Sequence, residues 1–278
     1  YGPFYWRSVT AFFQFWKKLS RILPQVEHYF KQDVEFFLWE STTPDFYFLP
    51  FIAKKYQLKT IAYPHNIESL VSNQSFSQYN STQKTFIKEI NVLKSCDTVF
   101  TISRMDNQLL SVFKVNANYF PYNPPNATGV FLRKIADDRK KRKPQTTKKI
   151  LIIGTVHNPP TRKGMEILIK KINDIQIAGV EFSLCGYGTN QMTSLINTPQ
   201  ILLKGELSQQ ELENEMIAAD AMLIYQPTTT GVLTRIIEFL NADIPVIVNA
   251  EAAHSHYEMQ NLFIYNTNEE LVKILKEI

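Results

Sequence analysis

Cysteine is scarce in this chain. Cys96 and Cys185 are the only two in 278 residues, too few for a disulfide framework. Each sits in an apolar, strand-like stretch, so buried free thiols in a reducing, cytoplasmic compartment are expected. Long hydrophobic runs are missing too: none approaches the roughly 18–20 residues of a membrane span, and the first residues lack the layout of a secretory signal. The Asn-x-Ser/Thr triplets at Asn73, Asn80 and Asn126 would matter only in a secreted chain. No Gly-x-Ser-x-Gly elbow, nucleophilic-cysteine context, P-loop or dinucleotide fingerprint occurs. His254 and His256 lie in a polar loop without partners at ligand spacing, so no metal site is expected. There is no internal repeat.

What is present suffices for real cores. Hydrophobic residues make up 44% and aromatics 13% of the chain, which excludes a disordered protein. The length allows two domains. Net charge is +4, but residues 133–149 alone carry nine Lys/Arg and two Asp, a local +7 that leaves −3 for the rest. A uniformly basic nucleic-acid binder is therefore excluded as the first reading, and no nucleic-acid partner is expected.

That basic run, Arg133 to Lys149, lacks sustained apolar periodicity and contains Pro144-Gln145-Thr146-Thr147, so residues 131–147 read as a linker. It separates an acceptor-side unit, 1–130, from a second unit, 148–278. In the first unit, strands are expected at Asp33–Trp39, Lys59–Tyr63, Asp97–Ile102 and Ala117–Phe120. Helices are expected from Thr43 to about Tyr56, over 82–94 and over Arg104–Phe113. In the second, strands are expected at Lys149–Gly154, Val180–Cys185, Ile201–Lys204, Ala221–Tyr225, Pro245–Val248 and Leu262–Tyr265. Its helices are expected near Gly164, at Ser208–Ala219, near Arg235–Leu240 and at Asn268–Lys276. Apolar strands alternating with helices predict α/β architecture with two Rossmann-like, doubly wound parallel sheets.

Near the N-terminus, Val9, Phe12, Phe13, Trp16, Leu19 and Leu23 form one helical stripe opposite Arg7, Lys17, Lys18 and Arg21. The favoured reading packs this stripe on the neighbouring sheet. The second reading lays residues 7–23 on an anionic membrane surface as a peripheral contact at the inner face.

The most informative stretch is Thr234-Arg235-Ile236-Ile237-Glu238, opening a helix just before the strand at Pro245-Val246-Ile247-Val248. Spacing i, i+3 puts Arg235 and Glu238 on one face, and a helix N-terminus favours an anion. Taken alone, a surface ion pair is the simpler reading. A second element runs from Gly154 through Thr155-Val156-His157-Asn158-Pro159-Pro160-Thr161 to Arg162-Lys163-Gly164: a strand, a glycine, a long cationic loop and a glycine at a helix start suit a phosphate. Gly186-Tyr187-Gly188 is another glycine loop at a strand end. His65, in Tyr63-Pro64-His65-Asn66-Ile67-Glu68, also lies just past a strand.

The order of these elements resembles the GT-B glycosyltransferases, in particular the large retaining family that includes mannosyl- and glucosyltransferases. In the second unit the resemblance rests on Ile150–Gly154 with Arg162-Lys163-Gly164, Leu184–Gly188, Lys204–Ser208, Met216–Ile224 and Thr234–Val248. In the first it rests on Tyr63–Glu68 and Asp97–Ser103. The resemblance implies that Glu238 accepts hydrogen bonds from the ribose hydroxyls of a nucleotide. Arg235 and Lys163 would clamp the diphosphate, with Arg162 and Gly154 adjacent. Gly186, Gly188, Gly205 and Glu206 would line the base pocket, and His65 would contact the donor sugar. The reaction implied is transfer of a hexose from a UDP-, GDP- or ADP-sugar to a hydroxyl of a glycan or lipid-linked acceptor, with retention. No metal and no tightly bound cofactor are implied.

Three positions depart from the family pattern. Its frequent acid eight residues before Glu238 falls on Thr230, its arginine after the strand glycine on Thr155, and its glycine before the Pro-Val strand on the Ala242-Asp243-Ile244 turn. These departures motivate the alternative of a degenerate, non-catalytic nucleotide-sugar-binding or scaffold protein. The family's first strand and glycine loop and its closing helix have no counterpart, so an incomplete N-terminal domain and a chain trimmed at both ends are expected.

Overall fold

The computed structural model describes residues 9–40, 42–71, 82–227 and 230–278. The readings of Arg7, Asn73 and Asn80, and of the side chains of Val9, Phe12, Phe13, Trp16, Lys18 and Leu19, lie outside the described residues. The chain divides into two compact units: residues through Pro121 with Thr229–Gly231, and Tyr122–Thr228 with Val232–Ile278.

The first unit holds α1 (Val9–Phe30), β1 (Phe36–Trp39), α2 (Leu49–Lys55), β2 (Lys59–Ala62), α3 (Thr82–Ser95), β3 (Thr98–Thr101), α4 (Arg104–Val112) and β4 (Ala117–Tyr119). Its sheet is parallel, in the order β1-β2-β3-β4. Trp39, Ile67, Ile90, Leu93, Val99 and Leu110 form its core. Phe30, ending α1, meets the rings of Phe37 at 5.1 Å and Tyr56 at 6.1 Å, which seats that end of the helix on the unit. Lys17 and Arg21 are exposed. Among the described residues no helix is long and apolar enough to cross a membrane.

The second unit holds α5 (Asn126–Arg139), β5 (Lys148–Ile153), α6 (Pro159–Asp174), β6 (Val180–Cys185), β7 (Ile201–Gly205), α7 (Gln209–Ala218), β8 (Ala221–Ile224), α8 (Thr234–Asn241), β9 (Val246–Asn249), α9 (Ala250–Ala253), β10 (Leu262–Tyr265) and α10 (Asn268–Glu277). Its six parallel strands run β10-β9-β8-β5-β6-β7. The chain starts in the middle, winds outward to β7, then crosses back to β8. That is the doubly wound order, with a topological switch between β5 and β8, where ligands of such sheets bind beyond the carboxyl ends of the strands. One apolar cluster, with Ile150, Leu168, Phe182, Leu184 and Leu271, and a second, with Leu151, Met222, Ile236, Phe239 and Val246, fill its core. Both cysteines are buried and free, and burial pushes each thiol up to about 12.

Two sequence expectations are corrected here. Residues 126–139 are helical, not linker: Leu132 and Ile135 are buried, and so is Arg139. The guanidinium of Arg139 donates to the carbonyls of Met216 (3.0 Å), Ala219 and Asp243 (2.9 Å). Arg142 adds bonds to Ala218 (3.0 Å) and Ala219 (2.9 Å) and an ion pair with Asp220 at 2.7 Å. Two arginines of the basic run thus satisfy the open carbonyls at the C-terminal, negative end of α7. The second correction concerns α6, which starts at Pro159 rather than near Gly164. Asn158 caps it and Pro159 and Pro160 fill the first helical positions, where a missing N–H costs nothing.

Candidate functional site

Glycines form the carboxyl ends of β5, β6 and β7. The Gly154 N–H donates to the Cys185 carbonyl at 3.2 Å, and the Gly186 N–H to the Gly205 carbonyl at 2.8 Å. A Cβ on Gly186 would stand 2.0 Å from the Gly154 carbonyl oxygen, and its φ of +124° is open essentially to glycine alone. The Gly205 carbonyl is therefore already engaged, and Glu206 beyond it is exposed. Between Gly186 and Gly188, the exposed Tyr187 ring lies 4.7 Å from that of His157, tilted by 40°.

Helix α6 offers an anion little through its backbone. Pro159 and Pro160 have no N–H, the Thr161 N–H is taken by the Asn158 side chain at 3.5 Å, and the Arg162 N–H by the Asn158 carbonyl at 2.9 Å. What remains are the side chains of its first turns. Arg162 pairs with Glu166 at 2.9 Å, while Lys163 is exposed and has no partner among the described residues. Gly164 lies within the helix, where a Cβ would come 1.9 Å from the Tyr225 carbonyl oxygen. The glycine lets α6 press its backbone onto the end of β8.

Helix α8 is different. It begins without a capping side chain; its Ile236 N–H is taken by the Leu233 carbonyl at 2.9 Å, while the Thr234 and Arg235 N–H groups have no hydrogen-bond acceptor among the described residues. Arg235 folds back toward the switch point: its guanidinium donates to the Gln226 side-chain oxygen at 2.6 Å and the Ile153 carbonyl at 3.4 Å. It borders a small cavity with Thr161, Met165 and Tyr225. Its Nε is enclosed and unpartnered, and burial pulls the pKa of the group down to about 10. Gln226 is fixed in turn, with its N–H on the Asn249 side chain at 2.8 Å and its carbonyl held by the Asn249 amide at 3.1 Å. No Arg235–Glu238 ion pair forms among the described residues. Glu238 instead accepts a hydrogen bond from the Tyr122 hydroxyl at 2.7 Å. The structure thus sets aside the surface ion pair, the simpler reading of the i, i+3 spacing.

In the first unit, His65 is exposed, with Nε2 3.6 Å from Glu40, on a pocket of about 360 Å3 lined also by Thr42, Thr43, Asn66 and Glu68. Buried Glu89 anchors the turn after it, accepting from the Glu68 N–H at 2.8 Å and the Ser69 N–H at 2.9 Å. Thr230, where the family pattern has an acid, is buried and engaged: it accepts from the Ile67 N–H at 2.9 Å and donates to Asp106 at 2.9 Å. Asp243 holds the turn before β9 with φ +55°, a conformation aspartate tolerates better than most residues. Among the described residues no group of three or more His, Cys, Asp or Glu could hold a metal.

No protein-family model and no curated protein sequence matches the chain. Solved structures do. Anabaena HepE in complex with UDP superposes with a TM-score of 0.65 at 14% identity, over 93% of this chain and 73% of HepE. Sucrose-phosphate synthase from Thermosynechococcus elongatus gives 0.63 at 15% identity, over 94% and 70%. A glycosyltransferase from Rickettsia africae gives 0.61 at 15% identity, over 98% and 72%. The chain has the GT-B fold. Within that fold, Gly154 and Arg235 come together at the β5–β8 switch, beside the start of the helix carrying Arg162 and Lys163. Gly186 lies against Gly154, whereas Glu238 makes its contact elsewhere, with Tyr122. The sequence reading missed Gln226, Asn249 and Tyr122. The first two carry a faint signal, since Asn249 ends an apolar strand and Gln226 follows just past one.

Proposed function

We propose that the chain is a glycosyltransferase that uses a nucleotide-diphospho-sugar donor, first of all a UDP-hexose. The observation that carries this reading is Arg235: a partly buried cation without a carboxylate partner among the described residues, at the switch point of a doubly wound sheet and the start of α8, which has no side-chain cap. A buried charge left unpaired is costly, and a diphosphate would neutralise it. Lys163, exposed and without a partner among the described residues, supports the same reading. In the reaction, Arg235 and Lys163 would stabilise the charge that builds on the nucleoside diphosphate as the sugar–phosphate bond breaks. Side-chain cations would thereby supply what a divalent metal supplies elsewhere.

Glu238 is proposed for the ribose hydroxyls, and the base pocket for Gly186, Gly188, Gly205 and Glu206. HepE has been solved with UDP-glucose, which supports uridine as the first base to try. Retention, a glycan or lipid-linked acceptor and sugar contact by His65 are parts of the proposal that the sequence resemblance supports. So is the assignment of the first unit to the acceptor side.

The second reading, a binder without turnover, is favoured by Thr230, whose hydroxyl is committed to Ile67 and Asp106. The test is release and transfer of radiolabelled hexose from UDP-, GDP- and ADP-sugars to a panel of glycan and lipid-linked acceptors. The enzyme reading expects turnover that Arg235→Ala reduces by at least about 100-fold, the scale of losing one charge-stabilising donor. Donor binding without hydrolysis or transfer would favour the second reading.

A further inference from the structure

Tyr122 belongs to no motif, yet it makes the one side-chain hydrogen bond that Glu238 has among the described residues. Its hydroxyl donates to Oε1 of Glu238 at 2.7 Å, across 116 residues of sequence. Thr234, opening the same helix, acts on that phenol too and offsets part of the upward pull of Glu238 on it. The segment holding Tyr122 reads Phe120-Pro121-Tyr122-Asn123-Pro124-Pro125. Three prolines in it fix φ at their own positions and restrict the residues before them. A stiff segment therefore delivers a side chain with only two rotatable bonds to a flexible carboxylate.

We infer that Tyr122 is a positioning residue which orients the Glu238 carboxylate for a vicinal diol, and so sets the preference of the site for ribonucleotides over 2′-deoxyribonucleotides. The inference rests on the nucleotide-sugar reading above. A free glutamate must surrender rotamer freedom when it binds, at a cost in affinity. Tyr122 fixes it beforehand with a hydrogen bond to a charged acceptor, the stronger kind. An ionised carboxylate has about four lone-pair sites on its two oxygens. One is taken by Tyr122, which leaves Oε2 and the remaining Oε1 site for a pair of hydroxyls. Burial, with Glu238 second, pushes the Tyr122 hydroxyl up to about 12, so it stays a donor at neutral pH.

The test measures dissociation constants by calorimetry for UDP, GDP and ADP, each against its 2′-deoxy counterpart, using whichever base binds. Wild type, Tyr122→Phe, Thr234→Val and Glu238→Gln are compared, with circular dichroism as the check on folding. The expected result is a ribonucleotide Kd weakened about 10-fold in Tyr122→Phe and less in Thr234→Val. The 2′-deoxynucleotide Kd stays within about 2-fold, so the ribo/deoxy preference collapses. In Tyr122→Phe/Glu238→Gln the preference falls no further than in Glu238→Gln. Equal weakening of both nucleotides would mark Tyr122 as merely structural and overturn the inference. Tighter ribonucleotide binding in Tyr122→Phe would also overturn it, by showing that the phenol competes with the ribose. If Glu238→Gln loses the preference while Tyr122→Phe keeps it, the nucleotide reading stands and the Tyr122 role falls. Failure of every nucleotide to bind folded wild type overturns both.

Discussion

Gly164 shows how much a single residue carries here. In a helix interior, alanine is ordinarily better than glycine by about 1 kcal/mol. At this position the added Cβ would meet the Tyr225 carbonyl oxygen at 1.9 Å, against backbone that cannot swing aside. Overpacking of that kind costs roughly 1–3 kcal/mol and outweighs the propensity gain. Gly164→Ala is thus expected to destabilise the protein by up to about 2 kcal/mol, a drop in Tm of up to several degrees by calorimetry; a higher Tm would refute the close approach. The sequence places a glycine beside Arg162 and Lys163 but cannot give its reason, because the obstacle lies 61 residues away. Arg235 is similar. Its identity and its place at a helix start are legible, whereas its turn toward Gln226 and Ile153 is a matter of packing.

At the scale of elements, the basic run is the instructive case. The net charge of 133–149 masks the buried Ile135, with Leu132 just before it, and gives no hint that Arg139 faces inward to the end of α7. Removing its guanidinium leaves several buried carbonyls without donors, each costing roughly 1–3 kcal/mol. Arg139→Met is expected to lose about 3 kcal/mol or more in urea unfolding, and Arg139→Lys to rescue little, since an ammonium cannot reproduce the fork. Exposed Lys140 and Lys141, each paired only with an aspartate one turn earlier, should change stability by less than about 0.5 kcal/mol when replaced by alanine. Equal effects at all of these positions would restore the linker reading. Most strands were readable because parallel strands buried on both faces are continuous apolar runs, as in Ile150–Ile153 and Val246–Val248. The start of α6 is legible too, in Asn158-Pro159-Pro160 as cap and first turn.

At the scale of the whole molecule, two features set behaviour. One is Glu89 in the first unit, fully buried and bonded to two backbone amides. Burial outweighs those bonds and raises its carboxyl from the ordinary 4.5 to about 7. Its folded pKa lies above its unfolded one, so its contribution is fully present below about pH 4.5 and is lost as pH rises through 7. The size is on the order of 3 kcal/mol, from the difference between those two values at about 1.36 kcal/mol per unit. Urea unfolding at pH 5, 6 and 7 should show wild type losing stability relative to Glu89→Gln as pH rises; parallel curves would refute it.

The other feature is the doubly wound order of the second sheet, which puts Gly154, Arg235 and the start of α6 at one switch point. That convergence follows from topology and was only implied by the order of motifs. Its most direct test is calorimetric titration of UDP into wild type and Arg235→Ala. Wild type is expected to show one saturable site per chain, and Arg235→Ala a Kd weakened roughly 10- to 100-fold, the loss of a hydrogen bond to a charged group. Unchanged UDP affinity in a folded Arg235→Ala would contradict it.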